Sequence, residues 1–181
     1  LCRAVTLFKV VRHIHKQGKV AMTIAEFNTC VDLYADSLYR FILKNVKDTD
    51  KAKDIVQDTY EKLWLKVSDL ESTNAKSYMF TAAYRTMIDS IRRDKKFSPI
   101  EKLPEPSHTK HAQPDLKQTI DNALSKLSEI QRNVLLLRDY EGYNYEQIGE
   151  ITGLSESQVK VYIYRARIAM KDYLVSLENV I

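Results

Sequence analysis

Glycine and proline are scarce in this chain, and their placement is uneven. Of 181 residues only 4 are glycine and 4 are proline. All the prolines, Pro99, Pro104, Pro106 and Pro114, fall in "SPIEKLPEPSHTKHAQP". Proline lacks a backbone donor and restricts the residue before it, so this stretch is expected to be extended and non-helical. Cysteine is scarce too: Cys2 and Cys30 have no metal or redox spacing. That excludes a disulfide framework and fits reduced thiols in a cytoplasmic protein. No apolar run approaches the ~18–20 residues that span a bilayer. The early run "AVTLFKVV" is followed, not preceded, by Arg12, His13 and Lys16, which is the reverse of a secretory signal. A glycine-rich phosphate loop and a nucleophile elbow are both missing, so nothing favours an enzyme. His13 with His15, and His108 with His111, have no paired cysteines or carboxylates at ligand spacing. No metal and no cofactor are expected.

What is present is helical patterning, in two blocks. Between Ile24 and Lys96 the chain has neither proline nor glycine. From Glu26 to about Val46, Phe27, Val31, Tyr34, Leu38 and Phe41 recur at helical spacing. Thr49 or Asp50 is suited to cap a second helix, whose stripe is Ala52, Ile55, Val56, Tyr60, Leu63 and Trp64. Asn74 opens a third, with Phe80, Tyr84, Ile88 and Ile91 on one face. The second block begins near Asp115 with Leu116, Ile120, Leu124 and Leu127. Ser128 and Gln131 then form a capping box, and Gly142 is placed to end that helix in the left-handed region. No strand pattern and no internal repeat is found. The fold expected is all-α: two helical domains, 22–97 and 116–181, joined by a proline-rich linker, 98–115. The pattern starts just after Met22, so residues 1–21 are expected to stand outside the native fold.

The last block carries the sharpest local signal, "YNYEQIGEITGLSESQVKVYIYRARIAM". Ile148 and Ile151 face inward on one short helix; Val159, Ile163, Ala166 and Met170 do so on the next. Gly149 leaves room for the partner helix, and Gly153 takes the positive φ that ends the first helix. Ser155 caps the second, with Gln158 at its third position. These residues predict a helix-turn-helix. The outward face of its second helix presents Lys160, Val161, Tyr164 and Arg165. Such types suit guanine edges, phosphates and thymine methyls in a major groove. An ordinary αα-corner with a solvated basic face is the alternative. The net charge of +4 and pI near 8.9 are too mild to decide between them.

The stretch Leu124–Met170 resembles the C-terminal promoter-binding domain of extracytoplasmic-function sigma factors. The motif residues are Leu127-Ser128-Glu129, Gln131-Arg132, Leu137-Arg138, Glu141-Gly142, Tyr145-Glu146-Gln147-Ile148 and Tyr164-Arg165-Ala166-Arg167. "KDTDKAKDIVQDTYEKLWLKV" is similar to the same family's helix that grips RNA polymerase, and "YMFTAAYRTMIDSIRRDKK" to its minus-ten-reading helix. The resemblance covers roughly residues 24–175, both domains in order. It implies a cytoplasmic transcription initiation factor. Its partners would be the RNA polymerase core (the largest subunit's coiled coil and the flap), promoter DNA and an anti-sigma factor, with no insertion into a membrane.

By the same resemblance Asp54, Gln57, Asp58 and Glu61 would face polymerase; spacing alone makes them a solvated acidic face. Asn74, Lys76, Tyr78, Arg85, Asp89, Arg92 and Arg93 would serve minus-ten reading and melting. Lys160, Val161, Tyr164 and Arg165 would read the minus-thirty-five element, with Arg138 and Ser157 on phosphates. Two positions depart from the usual pattern: Tyr84-Arg85 replaces a common Arg-Asn pair, and Val161 replaces a common serine. Tyr84 is expected in the core. The competing function is a helix-turn-helix regulator that acts without replacing a sigma factor.

Overall fold

The structure, a computed structural model, describes residues 21–97 and 116–178. The expected extension (apart from Ala21), the linker and the four histidines lie outside the described residues. Among the described residues there are only helices and turns.

Helix α1 (Ile24–Val46) begins two residues before the predicted start, because Thr23 forms a capping box. The Thr23 hydroxyl accepts from the Glu26 amide at 3.2 Å, and the Glu26 carboxylate accepts from the Thr23 amide at 2.8 Å. Helix α2 (Thr49–Trp64) is capped by Asp48 rather than by Thr49 or Asp50. The Asp48 carboxylate accepts from the amides of Asp50 and Lys51 at 3.0 and 3.1 Å, satisfying two donors that the first turn leaves open. A 3₁₀ turn, Ser72–Asn74, leads into α3 (Ala75–Phe97).

These three helices enclose Leu38, Ile42, Ala52, Leu63, Met79, Phe80, Ala83 and Met87, none of which reaches solvent. The predicted stripe of α3 is therefore displaced. Its core-facing row is Met79, Ala83 and Met87, whereas Ile88 and Ile91 are only partly buried. Tyr84 is buried as expected. Trp64, placed in the inward stripe of α2, is instead 49% exposed and meets Phe27 edge-on at 5.1 Å.

The second bundle starts with α4 (Leu116–Lys126) and α5 (Glu129–Leu135). The Ser128–Gln131 capping box is present. Arg132 ties the two helices together, donating to the carbonyls of Leu124 and Leu127 at 3.0 and 3.1 Å. A π-helical turn, Leu136–Tyr140, follows α5 before the chain reaches Gly142 at φ +76°. An extra residue in one turn rotates the downstream chain by roughly 100° from a continued α-helix. Helices α6 (Tyr145–Thr152) and α7 (Glu156–Glu178) complete the bundle. Its core holds Val134, Leu137, Ile148, Ile151, Val159, Ile163 and Ala166.

The two bundles pack together along α3. The Phe80 ring stands between Phe41 of its own bundle, at 5.6 Å, and Tyr143 of the other, at 5.5 Å. No helix of the described residues is long and apolar enough to cross a membrane.

Candidate nucleic-acid interface

The hinge of the helix-turn-helix is built from three backbone requirements. Gly153 ends α6 at φ +76°, its amide donating to the Gly149 carbonyl at 2.7 Å. A Cβ on Gly149 would lie 2.7 Å from the Leu154 carbonyl oxygen. The close approach at Gly149 thus comes from the turn's own carbonyl and not from the partner helix. Ser155 then caps α7: its hydroxyl accepts from the Gln158 amide at 3.3 Å, and Gln158 accepts from the Ser155 amide at 2.9 Å. Asn144 and Gln147 make the same reciprocal pair at the head of α6, at 2.8 and 3.0 Å. Both helices of the motif therefore start rigidly.

On α7 the predicted readers share one face. Val161 is 45% and Tyr164 67% exposed, and Lys160 and Arg165 are exposed beside them. Ile168 continues this apolar ridge. Lys160 pairs with Glu156 at 2.6 Å, and that hydrogen bond raises its pKa. Its ammonium also lies 5.5 Å from the centre of the Tyr145 ring. Ser157 is exposed and shares a hydrogen bond with Ser155 at 3.1 Å. Arg138 is less free: it donates to the Tyr143 carbonyl at 2.8 Å and stacks on Tyr145 at 4.8 Å. Arg167 makes a two-point pair with Asp139, at 2.6 and 3.3 Å, that bolts α7 to the π turn. Tyr145, only a motif residue in the sequence, is the site residue that sequence reasoning missed here; its ring supports Arg138 in the π turn and Lys160 on α7.

In the first bundle, Asn74, Tyr78 and Arg85 come together. They line a cavity of about 400 Å³ with Lys62, Ser77 and Thr81. The Tyr78 hydroxyl donates to the Lys62 carbonyl at 3.3 Å, which fixes the ring at the rim. A second concavity of about 490 Å³ holds Asp58, Thr86, Asp89, Arg92 and Arg93, and Lys62 belongs to both. The Lys62 ammonium donates to Thr86 at 2.6 Å. Arg92 pairs with Asp89 at 3.5 Å, and Arg93 donates to the Asp89 carbonyl at 3.4 Å. Lys62 is thus a second residue that the sequence reading missed. A lysine every turn or so on an amphipathic helix looks like ordinary solvated charge until α3 is laid beside it.

Lys76 is the one predicted minus-ten residue that stands apart from the rest. It faces the second bundle, donates to the Glu141 carbonyl at 3.0 Å and lies 4.8 Å from the centre of the Tyr143 ring. On α2, Asp54, Gln57, Asp58 and Glu61 are all exposed at i, i+3, i+4 and i+7, one ridge of the helix. None of the three carboxylates has an ion-pair partner among the described residues. The ridge runs on into Trp64 and Leu65, 49% and 70% exposed.

Comparison with known proteins matches a family to each bundle. Residues 30–97 match the Sigma-70 region 2 family, and residues 117–170 match Sigma-70 region 4. RNA polymerase sigma factor SigV of Bacillus subtilis is 30% identical over 158 residues, covering 86% of this chain and 95% of that protein. The ECF RNA polymerase sigma factor SigM of the same organism is 27% identical over 160 residues, covering 83% and 94%. Among solved structures, the sigma factor RpoE in complex with the anti-sigma factor NepR from Bartonella quintana superimposes with a TM-score of 0.67. It is 28% identical and covers 83% of this chain and 98% of that one. With both regions matched in order, the chain belongs to the extracytoplasmic-function RNA polymerase sigma factors, the initiation factors that direct RNA polymerase to promoters.

Proposed function

We propose that this sigma factor docks on the polymerase core through the ridge of α2 and reads two promoter elements, one with each bundle. The observation that carries this reading is the cavity in which Asn74, Tyr78 and Arg85 converge beside a basic groove. Extruding a base from the stack costs a few kcal/mol, and a cavity with an aromatic rim offsets that by stacking and edge contacts. Arg92 and Arg93 next to it suit the phosphates of the strand so exposed. Lys62, at the junction, is positioned for the phosphate between the captured base and its neighbour. The α7 face, cations alternating with Val161 and Tyr164, suits a major groove at the minus-thirty-five element. Ser157, at the N-terminus of α7, suits a phosphate, while Arg138 serves chiefly as a brace.

On the polymerase side, the unpaired carboxylates of α2 call for a basic partner, and Trp64 with Leu65 supplies an apolar anchor at the end of the ridge. The coiled coil of the largest subunit fits that description, with the flap receiving the second bundle. The chain works in the cytoplasm, where polymerase is, and carries out no catalytic step of its own. A solved relative is bound by an anti-sigma factor; an inhibitor of that class is the expected regulator here. Transcripts made by core polymerase plus this chain on genomic template test the whole reading. Starts that share one minus-ten and one minus-thirty-five sequence are expected. Operator binding without polymerase, and no directed starts with it, would favour a regulator instead.

A further inference from the structure

The C-terminal half of α1 faces α4 and the π turn across a trench with two concavities, of about 670 and 530 Å³. Arg40, Lys44, Lys117 and Asp121 line both, so the two are ends of one site. Each volume falls within the roughly 300–1,000 Å³ of small-molecule sites. The larger end is walled by Phe41, Leu116, Ile120, Leu136 and Tyr140. Phe41 and Leu136 are its buried floor, while Leu116 and Tyr140 stand 71% and 57% exposed at its rim. The smaller end adds Lys47, with the Asn122 amide group on the same lining. Over the whole trench four cations, Arg40, Lys44, Lys47 and Lys117, face two carboxylates, Asp121 and Glu141. Both carboxylates are already answered, Asp121 by Lys44 and Glu141 by Lys76 from outside the trench. Lys47 has no carboxylate paired with it among the described residues, and burial and the nearby Arg132 both lower its pKa. Positive charge is thus in excess at the smaller end, and uncovered apolar surface at the larger.

We infer that this trench binds a free long-chain carboxylate, one per chain, with its head at Lys47 and Arg40 and its alkyl chain along Phe41, Ile120 and Leu136. The lining selects one anion on an apolar body. A nucleotide would set the polar edges of its base against Phe41, Ile120 and Leu136, where they find no partners, and burying unpaired polar groups is unfavourable. Its phosphates would also crowd Asp121 or Glu141. An uncharged lipid would cover the apolar end but leave Lys47 unanswered. The direction of the ligand follows from Glu141, which lines only the larger end and would repel a carboxylate there. On α1 the lining runs from Ser37 to Lys47, ten residues and so about 15 Å, the reach of an extended dodecanoate. No lining residue belongs to the minus-ten cavity, the basic groove beside it, the α2 ridge or the α7 face. The site therefore stands or falls independently of promoter reading.

Calorimetric titration of the full chain with sodium dodecanoate, kept below its micelle concentration, tests the site. Saturable binding of one molecule per chain is expected. Dodecanol and dodecylammonium should bind at least about tenfold more weakly, because one lacks the charge and the other reverses it. No binding of dodecanoate, or equal binding of all three, would overturn the proposal. The variant Arg40→Gln/Lys47→Asn removes two exposed cations, and asparagine tolerates the left-handed φ of +56° at position 47. With its fold checked by circular dichroism, it is expected to bind dodecanoate at least about tenfold more weakly. A folded variant of wild-type affinity would overturn the placing of the head; if the variant does not fold, the comparison of acid, alcohol and amine on the wild-type chain decides. A photoreactive diazirine fatty acid should label peptides from 37–47 and 116–125, and labelling confined to other peptides would overturn the site. Flotation with phosphatidylglycerol vesicles separates a free acid from a lipid surface. Vesicle binding without dodecanoate binding would make a membrane the partner and the proposal wrong.

Discussion

Gly149 and Gly153 stand four residues apart, one inside α6 and one ending it, and they do different things. Gly149 faces the Leu154 carbonyl, where an added methyl has 2.7 Å, while Gly153 has open space but sits at φ +76°. Gly149→Ala must push backbone against backbone and is expected to destabilise the second bundle by about 1–3 kcal/mol. Gly153→Ala pays only the left-handed backbone cost, about 1–2 kcal/mol, and leaves the turn in place. Urea denaturation of both variants, followed by circular dichroism, checks the order. Arg138 and Arg165 separate in the same way. Arg165 is exposed and pairs with nothing among the described residues, so Arg165→Ala is expected to cost ~1–3 kcal/mol of polymerase-dependent promoter binding and to relax one base position. Arg138→Ala instead loses a hydrogen bond to Tyr143 and the stack on Tyr145, and is expected to lower the melting temperature as well as binding. A pair of melting curves distinguishes a reader from a brace.

At the scale of the element, a helix in this protein often carries two faces with two destinations. The α3 residues Met79, Ala83 and Met87 fill their own bundle, while Phe80 and Lys76 look toward the second bundle and Tyr78 and Arg85 line the cavity. A single apolar stripe read at period 3.6 cannot separate these. It is for this reason that the predicted row of Phe80, Tyr84, Ile88 and Ile91 mixes buried with half-buried positions. The α2 ridge is simpler: charge at one face, core at the other. Reversing it with Asp54→Lys/Asp58→Lys is expected to weaken capture by core polymerase at least about tenfold, more than about 1.4 kcal/mol. Both side chains are exposed without ion-pair partners, so stability should change by less than about 0.5 kcal/mol. Co-sedimentation with core enzyme, set beside a thermal melt, reads both numbers. Unchanged capture would return the ridge to ordinary solvated charge.

For the whole molecule, the two bundles pack side by side along α3, which bears on how the free chain meets DNA. With its two readers side by side, it is expected to bind a promoter duplex weakly and to protect no more than one element at a time. With core polymerase added, nuclease footprinting should show both elements protected together. Simultaneous protection by the free chain would mean that the readers separate without polymerase. The weak basicity of the chain fits this picture: its net charge is only +4, and three of its lysines, Lys44, Lys76 and Lys95, are answered by carboxylates of the other bundle.

Much of this was legible in residue order, because it depends on short-range chemistry. A capping box needs two side chains three positions apart, a left-handed helix end needs glycine, and an amphipathic helix needs its apolar residues at one period. Hence two bundles, their helices and the hinge of the helix-turn-helix are dictated by the sequence, as is the placing of Lys160, Val161, Tyr164 and Arg165 on one exposed face. Residues far apart in the chain were decided only by tertiary structure. Lys62 became part of a cavity because α3 lies beside α2, Trp64 stayed half exposed because Phe27 covers one edge of it, and Lys76 turned to Glu141 because a π turn rotated that residue toward it. Nothing in local periodicity encodes such pairings; they are chosen by which faces can bury their apolar area together and leave each charge an answering one.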